Sequence, residues 1–390
     1  MTDHPHQSGT PSGPLLVYTR NCEPKRPSDA QNAVFSAPSE PPSDAQNGDP
    51  QAPSKWQLQT VARSILPENR RLQKCYRTPL AGGVEVHRSP SRQTAAYRNL
   101  CTCSSVWACP VCAARLGVFR ALEVTAALDR HLSQGGDAVM LTFTASHTRD
   151  DELPHLLAAH KAAHARFFRT GSVRAALADV GTLGRITAQE VTFSNGAGFH
   201  PHKHVLLLLD GSHPAPLQAL EALASTWRNV AARSGLTASR DHGLRASGGR
   251  SAGAYVAKLG LEVSLSVCKK GRNGSHGPWQ LLRAASDGES FALVAFRTYA
   301  LALKGTAHLR WSPGLKAALL VDEVTDAEVM ASGGEQDEAL AAVLSRRLWS
   351  GICRADVRSD VLALVGADDF DTLTAMMLVY GLDAAGLTRV

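Results

Sequence analysis

The sequence holds no apolar run approaching the roughly 20 residues that a membrane-spanning helix requires, which excludes a helical channel or transporter and any membrane partner. It also lacks the pattern Gly-x-x-x-x-Gly-Lys-Ser/Thr. No phosphate-cradling loop is therefore expected and no nucleotide cofactor. No secretory signal is visible, and the eight cysteines are unevenly spread. Both points argue against a disulfide framework and for a reducing, cytoplasmic compartment. Aromatic residues make up 6% of the chain and tyrosine occurs six times, so a tyrosine in a chemically loaded setting stands out.

Charge is unevenly placed. Residues 315–390 carry 6 Lys/Arg against 13 Asp/Glu, which leaves 35 against 22 for residues 1–314 within a net charge of +6. A basic front attracts phosphates and makes binding salt-dependent. The first 54 residues are rich in Pro, Ser, Gln and Asn and repeat Pro-Ser-Asp-Ala-Gln-Asn at 27–32 and 42–47. Too few apolar residues occur there to form a core, and a disordered tail is expected. His4 and His6 in that tail mimic a ligand pair with no strand to hold it.

What the sequence does contain is a row of three alternate histidines, His200, His202 and His204, followed at once by the apolar run 205–209. On a strand, side chains at i, i+2 and i+4 share a face, so the imidazoles converge while Lys203 turns away. Residues 185–193 read as a second strand, with a turn-rich 194–198 between the two, which predicts a β-hairpin. With Glu190 opposite His204, a carboxylate would join the imidazoles as a hard ligand suited to Mg²⁺ or Mn²⁺.

A nucleophile is offered by Tyr255. In a helix over 251–262, Tyr255, Lys258 and Glu262 fall on one face, a phenol, a cation and a carboxylate suited to phosphoryl chemistry. A second constellation is Cys101-x-Cys103-x₅-Cys109-x₂-Cys112, whose spacing and Cys-Pro-Val-Cys turn fit structural Zn²⁺. Cys75 is a fifth candidate, and it can serve as the fourth ligand with Cys101 left spare. Arg233, Arg240, Arg245 and Arg250 precede the tyrosine helix and can line an incoming strand, and the basic loop with Lys269, Lys270 and Arg272 offers a phosphate contact.

Taken together, Glu190, the segment Gly198-Phe199-His200-Pro201-His202-Lys203-His204-Val205-Leu206 and Tyr255-Val256-Ala257-Lys258 resemble the HUH endonucleases, specifically the single-tyrosine replication initiator (Rep) proteins of rolling-circle plasmids. The Thr-rich strand 139–147, the cysteine segment 103–113 and the segments 278–282 and 309–316 are similar to further motifs of that family, in the same order, so the likeness spans about residues 70–320. The resemblance implies site-specific, metal-dependent nicking of one strand of plasmid origin DNA, with Tyr255 joined to the 5′ phosphate and a free 3′ hydroxyl left as primer. It also implies later strand transfer and closure on single-stranded DNA, with a host helicase and polymerase as partners. Two departures stand out. Lys203 occupies a place that is usually hydrophobic in the family, which points to an exposed second sheet face, a lysine-tolerant cover or nearby DNA. No carboxylate stands one turn before the tyrosine, so termination would use Glu262 or the Tyr255 of a second protomer in a homodimer. A relaxase or transposase of the same chemistry, and a non-catalytic zinc-containing DNA-binding protein, are the alternatives.

The organisation expected is a tail (1–54), a Cys-rich zinc-binding segment (55–115), a nicking domain (116–314) and an acidic helical C-terminal module (315–390). The fold class is α+β, a central antiparallel sheet with helices packed mainly on one face. Helices are expected at 113–132, 153–168, 217–232, 292–304, 337–348 and 372–382, and strands at 138–144 and 263–267. The helix at 153–168 would carry His155, His160 and His164 on a partly exposed face, and Phe296 and Tyr299 would be packing residues.

Overall fold

A computed structural model describes residues 53–248, 274–332 and 337–390. Tyr255, Lys258, Glu262, Arg250, Lys269, Lys270 and Arg272, together with the helix expected at 251–262 and the strand at 263–267, lie outside the described residues. Helices α1 (Lys55–Ile65) and α2 (Arg70–Lys74) are followed by strands β1 (Val84–Ser89) and β2 (Thr94–Arg98), the long helix α3 (Pro110–Ser133) and strand β3 (Asp137–Phe143). Helices α4 (Leu153–Arg169) and α5 (Gly171–Asp179) lead into strands β4 (Thr182–Ser194) and β5 (Gly198–Leu209), then α6 (Pro216–Glu221), α7 (Ala224–Ala232) and β6 (Leu244–Gly248). Next come α8 (Pro278–Ser286), α9 (Ser290–Ala302), β7 (Leu309–Trp311), α10 (Leu315–Ala318) and α11 (Asp326–Ala331). Strand β8 (Ala339–Leu344), helices α12 (Arg346–Ala355), α13 (Arg358–Gly366) and α14 (Phe370–Val379), and strand β9 (Leu387–Arg389) follow.

Among the described residues the central sheet has five strands in the order β6-β3-β5-β4-β7, with antiparallel neighbours throughout. Its expected centre, the β4–β5 hairpin, is present. Ser194 pairs with Gly198 across a three-residue turn, and the Ser194 hydroxyl accepts from the Ala197 amide at 3.1 Å. Gly198 has φ +80°, and a Cβ there would meet Arg149 Cα and Thr148 O at 3.0 Å, so a side chain at the strand start would be strained.

The sheet is covered on two sides rather than mainly on one. Val139, Leu141, Phe143, Val205, Leu207 and Leu209 pack against α4, α5 and α7 through Phe167, Val173 and Trp227. Ala138, Met140, Ile186, Leu206 and Leu208 pack against α3 and α10 through Val124, Leu128 and Leu315. The unbroken apolar run of β5 has this cause: a strand buried on both faces has no polar alternation to show.

A second antiparallel sheet, in the order β2-β1-β8-β9, joins segments far apart in sequence. The helix expected at 337–348 is instead strand β8 followed by α12. Ala342 and Leu344 turn inward opposite Val86 and Val84, and the start of the segment is pinned by Arg98–Glu338 at 2.6 Å and by Asp337 accepting from the Ser89 hydroxyl at 2.9 Å. Long-range pairing with β1 overrides a local pattern of helix-favouring Ala and Leu. Trp56, Tyr97, Trp107, Trp279, Trp349 and Phe370 are buried in one core, so the Cys-rich segment, α8, α9 and the C-terminal helices share their packing. The helix expected over 217–232 is broken into α6 and α7. Phe296 and Tyr299 are buried, as packing residues should be.

Candidate functional site

On β4 and β5 the side chains of Glu190, His202 and His204 share one face. Glu190 lies opposite His202, not His204, because the hairpin closes at Ser194–Gly198. A slip of two residues preserves the face, and the carboxylate still reaches both rings. Its Oε2 stands 2.9 Å from His202 Nε2 and 3.1 Å from His204 Nε2. The other ring nitrogens are tied behind: His204 Nδ1 lies 3.0 Å from Thr142 Oγ1 on β3, and His202 Nδ1 lies 3.3 Å from the His200 carbonyl. Such partners fix ring orientation and leave Nε2 to face a ligand. Two imidazole nitrogens and one carboxylate oxygen, all within 4.8 Å of one another, can hold a metal ion. The Glu190 side chain is 23% exposed, so the group opens to solvent on one side. Burial pushes its carboxyl up, but the charges and hydrogen bonds of His202 and His204 outweigh that and hold it well below the ordinary range.

His200 is on the same face but does not join this group. Its Nδ1 lies 3.1 Å from His147 Nδ1, and its ring is 5.2 Å from that of His202. Burial, then the charges of His202 and His147, lower its pKa to about 4. The expected third histidine ligand is therefore displaced to a neighbouring pair, because the strand carries its ring one pleat nearer the turn, where His147 meets it. Behind the group, the carbonyl of His308 accepts from the Gln189 amide at 3.1 Å, and burial lowers the pKa of His308 to about 4. Thr142 and His308 were not singled out by sequence reasoning. Thr142 lies within the Thr-rich strand that was, whereas His308 carries no local pattern that marks it.

Four of the five candidate cysteines converge. Cys75, Cys103, Cys109 and Cys112 are buried and can hold a metal ion, and Cys101 stands outside the cluster. Their sulfurs are 3.5 Å (Cys75–Cys112), 3.6 Å (Cys103–Cys112) and 3.8 Å (Cys75–Cys109) apart. A tetrahedron built on a metal–sulfur bond of about 2.3 Å has edges of about 3.8 Å, so the donor set fits a four-thiolate site. Cys109 caps α3, with its sulfur 3.5 Å from the Cys112 amide, and Pro110 occupies the first turn. Gln59 Nε2 donates to Cys109 Sγ at 3.2 Å, and Gln59 Oε1 accepts from the fully buried Arg358 at 3.0 Å. Burial pushes the Cys109 thiol up, but donation from Cys103, Cys112 and Cys75 wins and holds it well below its usual value.

Lys203 turns to the opposite sheet face, where its ammonium donates to Gln189 Oε1. Burial, then Arg310 and Lys161, lower its pKa to about 8. Arg245 on β6 pairs with Thr142, which pairs in turn with His204, so the three stand in a row on the metal-competent face, with Arg245 exposed. His160 and His164 do not lie on a partly exposed face. His160 is 1% exposed against Trp227, His164 packs on Phe143, and neither His160 nitrogen has a hydrogen-bond partner among the described residues. Burial lowers both to about 3. The i, i+4 spacing put them on the face that α4 turns to the sheet.

Residues 95–220, which hold Cys101 to Cys112, Thr142, His147 and the whole β4–β5 hairpin, match the family of replication proteins. "Protein rep" of Streptomyces lividans is 26% identical over 353 residues, covering 70% of this chain and 77% of that protein. A "Neomycin resistance protein" of Streptomyces cyanogenus is 35% identical over 138 residues, covering 29% of this chain and 31% of that protein. No solved structure matches. No described helix is long and apolar enough to cross a membrane. Residues 95–220, about a third of the chain, are thus similar to replication proteins.

Proposed function

We propose that this chain is a rolling-circle plasmid replication initiator that nicks one strand of its origin DNA by transesterification. The observation that carries the reading is the Glu190–His202–His204 group, held on a rigid hairpin, backed by Thr142 and open on one side. A divalent cation bound there, Mg²⁺ or Mn²⁺, would polarise the scissile phosphate and neutralise its charge. The chain's own residues do the rest. The Tyr255 phenol gives up its proton as its oxygen attacks phosphorus, the bond to the 3′ oxygen breaks, and that oxygen takes up a proton to become the 3′ hydroxyl primer, so the step is proton-neutral. The 5′ phosphate stays on the tyrosine. Because phosphotyrosine keeps the energy of the broken bond, a later hydroxyl attack recloses the strand with no nucleotide cofactor. Lys258 would neutralise phosphate charge, and Glu262 or a second protomer's Tyr255 would serve termination.

The cysteine cluster is the structural partner of this chemistry. Four buried thiols with no open side suit a closed Zn²⁺ site that fixes the start of α3. Arg245, beside Thr142 and His204, would meet the phosphates of the strand being cut, and Arg250, Lys269, Lys270 and Arg272 would extend that contact. Supercoiled DNA carrying the cognate plasmid origin tests the reading. Wild-type protein with Mn²⁺ should open the circle and carry covalent 5′ nucleotide, and Tyr255→Phe should bind the DNA without forming the adduct. Unchanged nicking by Tyr255→Phe would assign the chemistry elsewhere.

A further inference from the structure

The reverse side of the same hairpin carries a cleft of about 680 Å³ between α4, β4, β5 and β7. It is strongly basic. Lys161 and Arg169 stand on α4, Arg185 on β4, Lys203 on β5 and Arg310 on β7, and among the described residues no Asp or Glu lines it. None of the five forms an ion pair with a carboxylate among the described residues. The floor cations are partly desolvated: among the described residues Lys203 reaches the neutral Gln189, and Arg185 lies 4.2 Å over the ring of Phe168. Gathering like charges at a part-buried site without counter-charge costs free energy, and an anion entering the cleft would offset it.

The cleft's shape selects the kind of anion. The lining of α4 runs from Leu157 to Arg169, which at 1.5 Å per residue is about 18 Å. The cations are strung along this length rather than gathered around one point, as a strand of successive phosphates requires and a single phosphate does not. Phe168 offers a ring at the floor, the pairing of basic groove and aromatic platform that single strands use. A duplex would reach the exposed rim residues Lys161, Arg169 and Arg310 and leave the floor cations unmet.

We propose that this cleft binds a segment of single-stranded DNA distinct from the strand at the metal-competent face, a proposal that rests on the DNA-processing reading above. The two faces are joined. Gln189, which accepts from Lys203, donates through Nε2 to the carbonyls of Glu190 at 2.9 Å and His202 at 3.1 Å. A strand held in the cleft would thus bear on the backbone of two of the three metal-competent residues.

The test is fluorescence anisotropy of full-length protein with a labelled oligothymidylate across a salt series. In Lys161→Glu/Arg310→Glu, which alters two exposed rim positions, affinity should fall at least about tenfold, and the log–log salt slope should drop by about 1.4, the share of two single-strand phosphate contacts. Unchanged affinity and slope would overturn the proposal. As a second measurement, photo-cross-linking with an iodouracil oligonucleotide should label the peptide containing Phe168, and label confined to β3, β5 and β6 would overturn it. Displacement of the oligonucleotide by inorganic pyrophosphate together with an unchanged slope would also overturn it, in favour of a small-anion pocket. In a His204→Ala background the rim variant should lose the same affinity, so a failed nicking assay and a failed cleft leave different records.

Discussion

The two metal-competent groups among the described residues are built in opposite ways. The four cysteines come from a helix end, a loop and a helix start, are all buried, and are ringed by Gln59, Arg63 and Arg358. Glu190, His202 and His204 come from two paired strands and keep one side open. Thiolates gathered from separate segments would cross-link those segments when a metal binds and so add to the stability of the fold, whereas ligands on one hairpin are placed by the sheet whether or not a metal arrives. The first group should therefore govern stability and the second chemistry.

The largest effect that can break this contrast is on the cysteine side. Cys112→Ser, or removal of metal from wild-type protein by a chelator, should lower the unfolding free energy by more than about 4 kcal/mol, read by denaturant titration alongside metal content. A loss below 1 kcal/mol would make the cluster a set of ordinary buried thiols. On the hairpin side, His202→Ala should lower metal-dependent nicking by about 100-fold or more, while the unfolding midpoint stays close to wild type. Equal losses of stability in the two variants would erase the distinction.

A pH experiment sharpens it. His160 and His164 are lowered to about 3 in the folded chain, against an ordinary value of about 6.5. Above that value both rings are neutral in folded and unfolded chains, and their packing contributes fully. As pH falls below it, the unfolded chain takes up protons that the folded chain does not, so stability drops by up to about 1.4 kcal/mol per pH unit for each histidine. The slope of unfolding free energy between pH 6 and 4 should fall in His160→Phe, and an unchanged slope would mean that the ring is solvated. Smaller effects follow. Thr142→Val should reduce nicking about tenfold through loss of the His204 tether, and Arg245→Ala should reduce the salt slope of DNA binding by about 1.

Much of this was legible in the sequence, and the reason is locality. The alternation of His200, His202 and His204 needs only the two-residue period of a strand, and the Cys109–Cys112 pair needs only a helix start. What escaped depends on distant partners. Glu190 meets His202 because of where the turn closes, and His200 departs because His147 arrives from after β3. The choice of Cys75 over Cys101, left open by the spacing, is made where the end of α2 meets the start of α3, with Cys75 and Cys112 sulfurs 3.5 Å apart. Residues 339–344 become a strand only by pairing with β1, more than 250 positions earlier. Burial of His160 and His164 needs Trp227 and Phe143, which no pattern within α4 reveals. The two-sided cover of the sheet was written in the apolar run 205–209, which has no polar alternation.

The central claim, that the hairpin group serves a tyrosine nucleophile, is tested most directly by mapping the peptide that retains labelled nucleotide after incubation with supercoiled origin DNA, with Mn²⁺ or Mg²⁺ supplied or withheld. The account predicts one labelled peptide, containing Tyr255, formed only with the ion and lost in His204→Ala. Label on another residue, or an adduct that forms equally in His204→Ala, would contradict it.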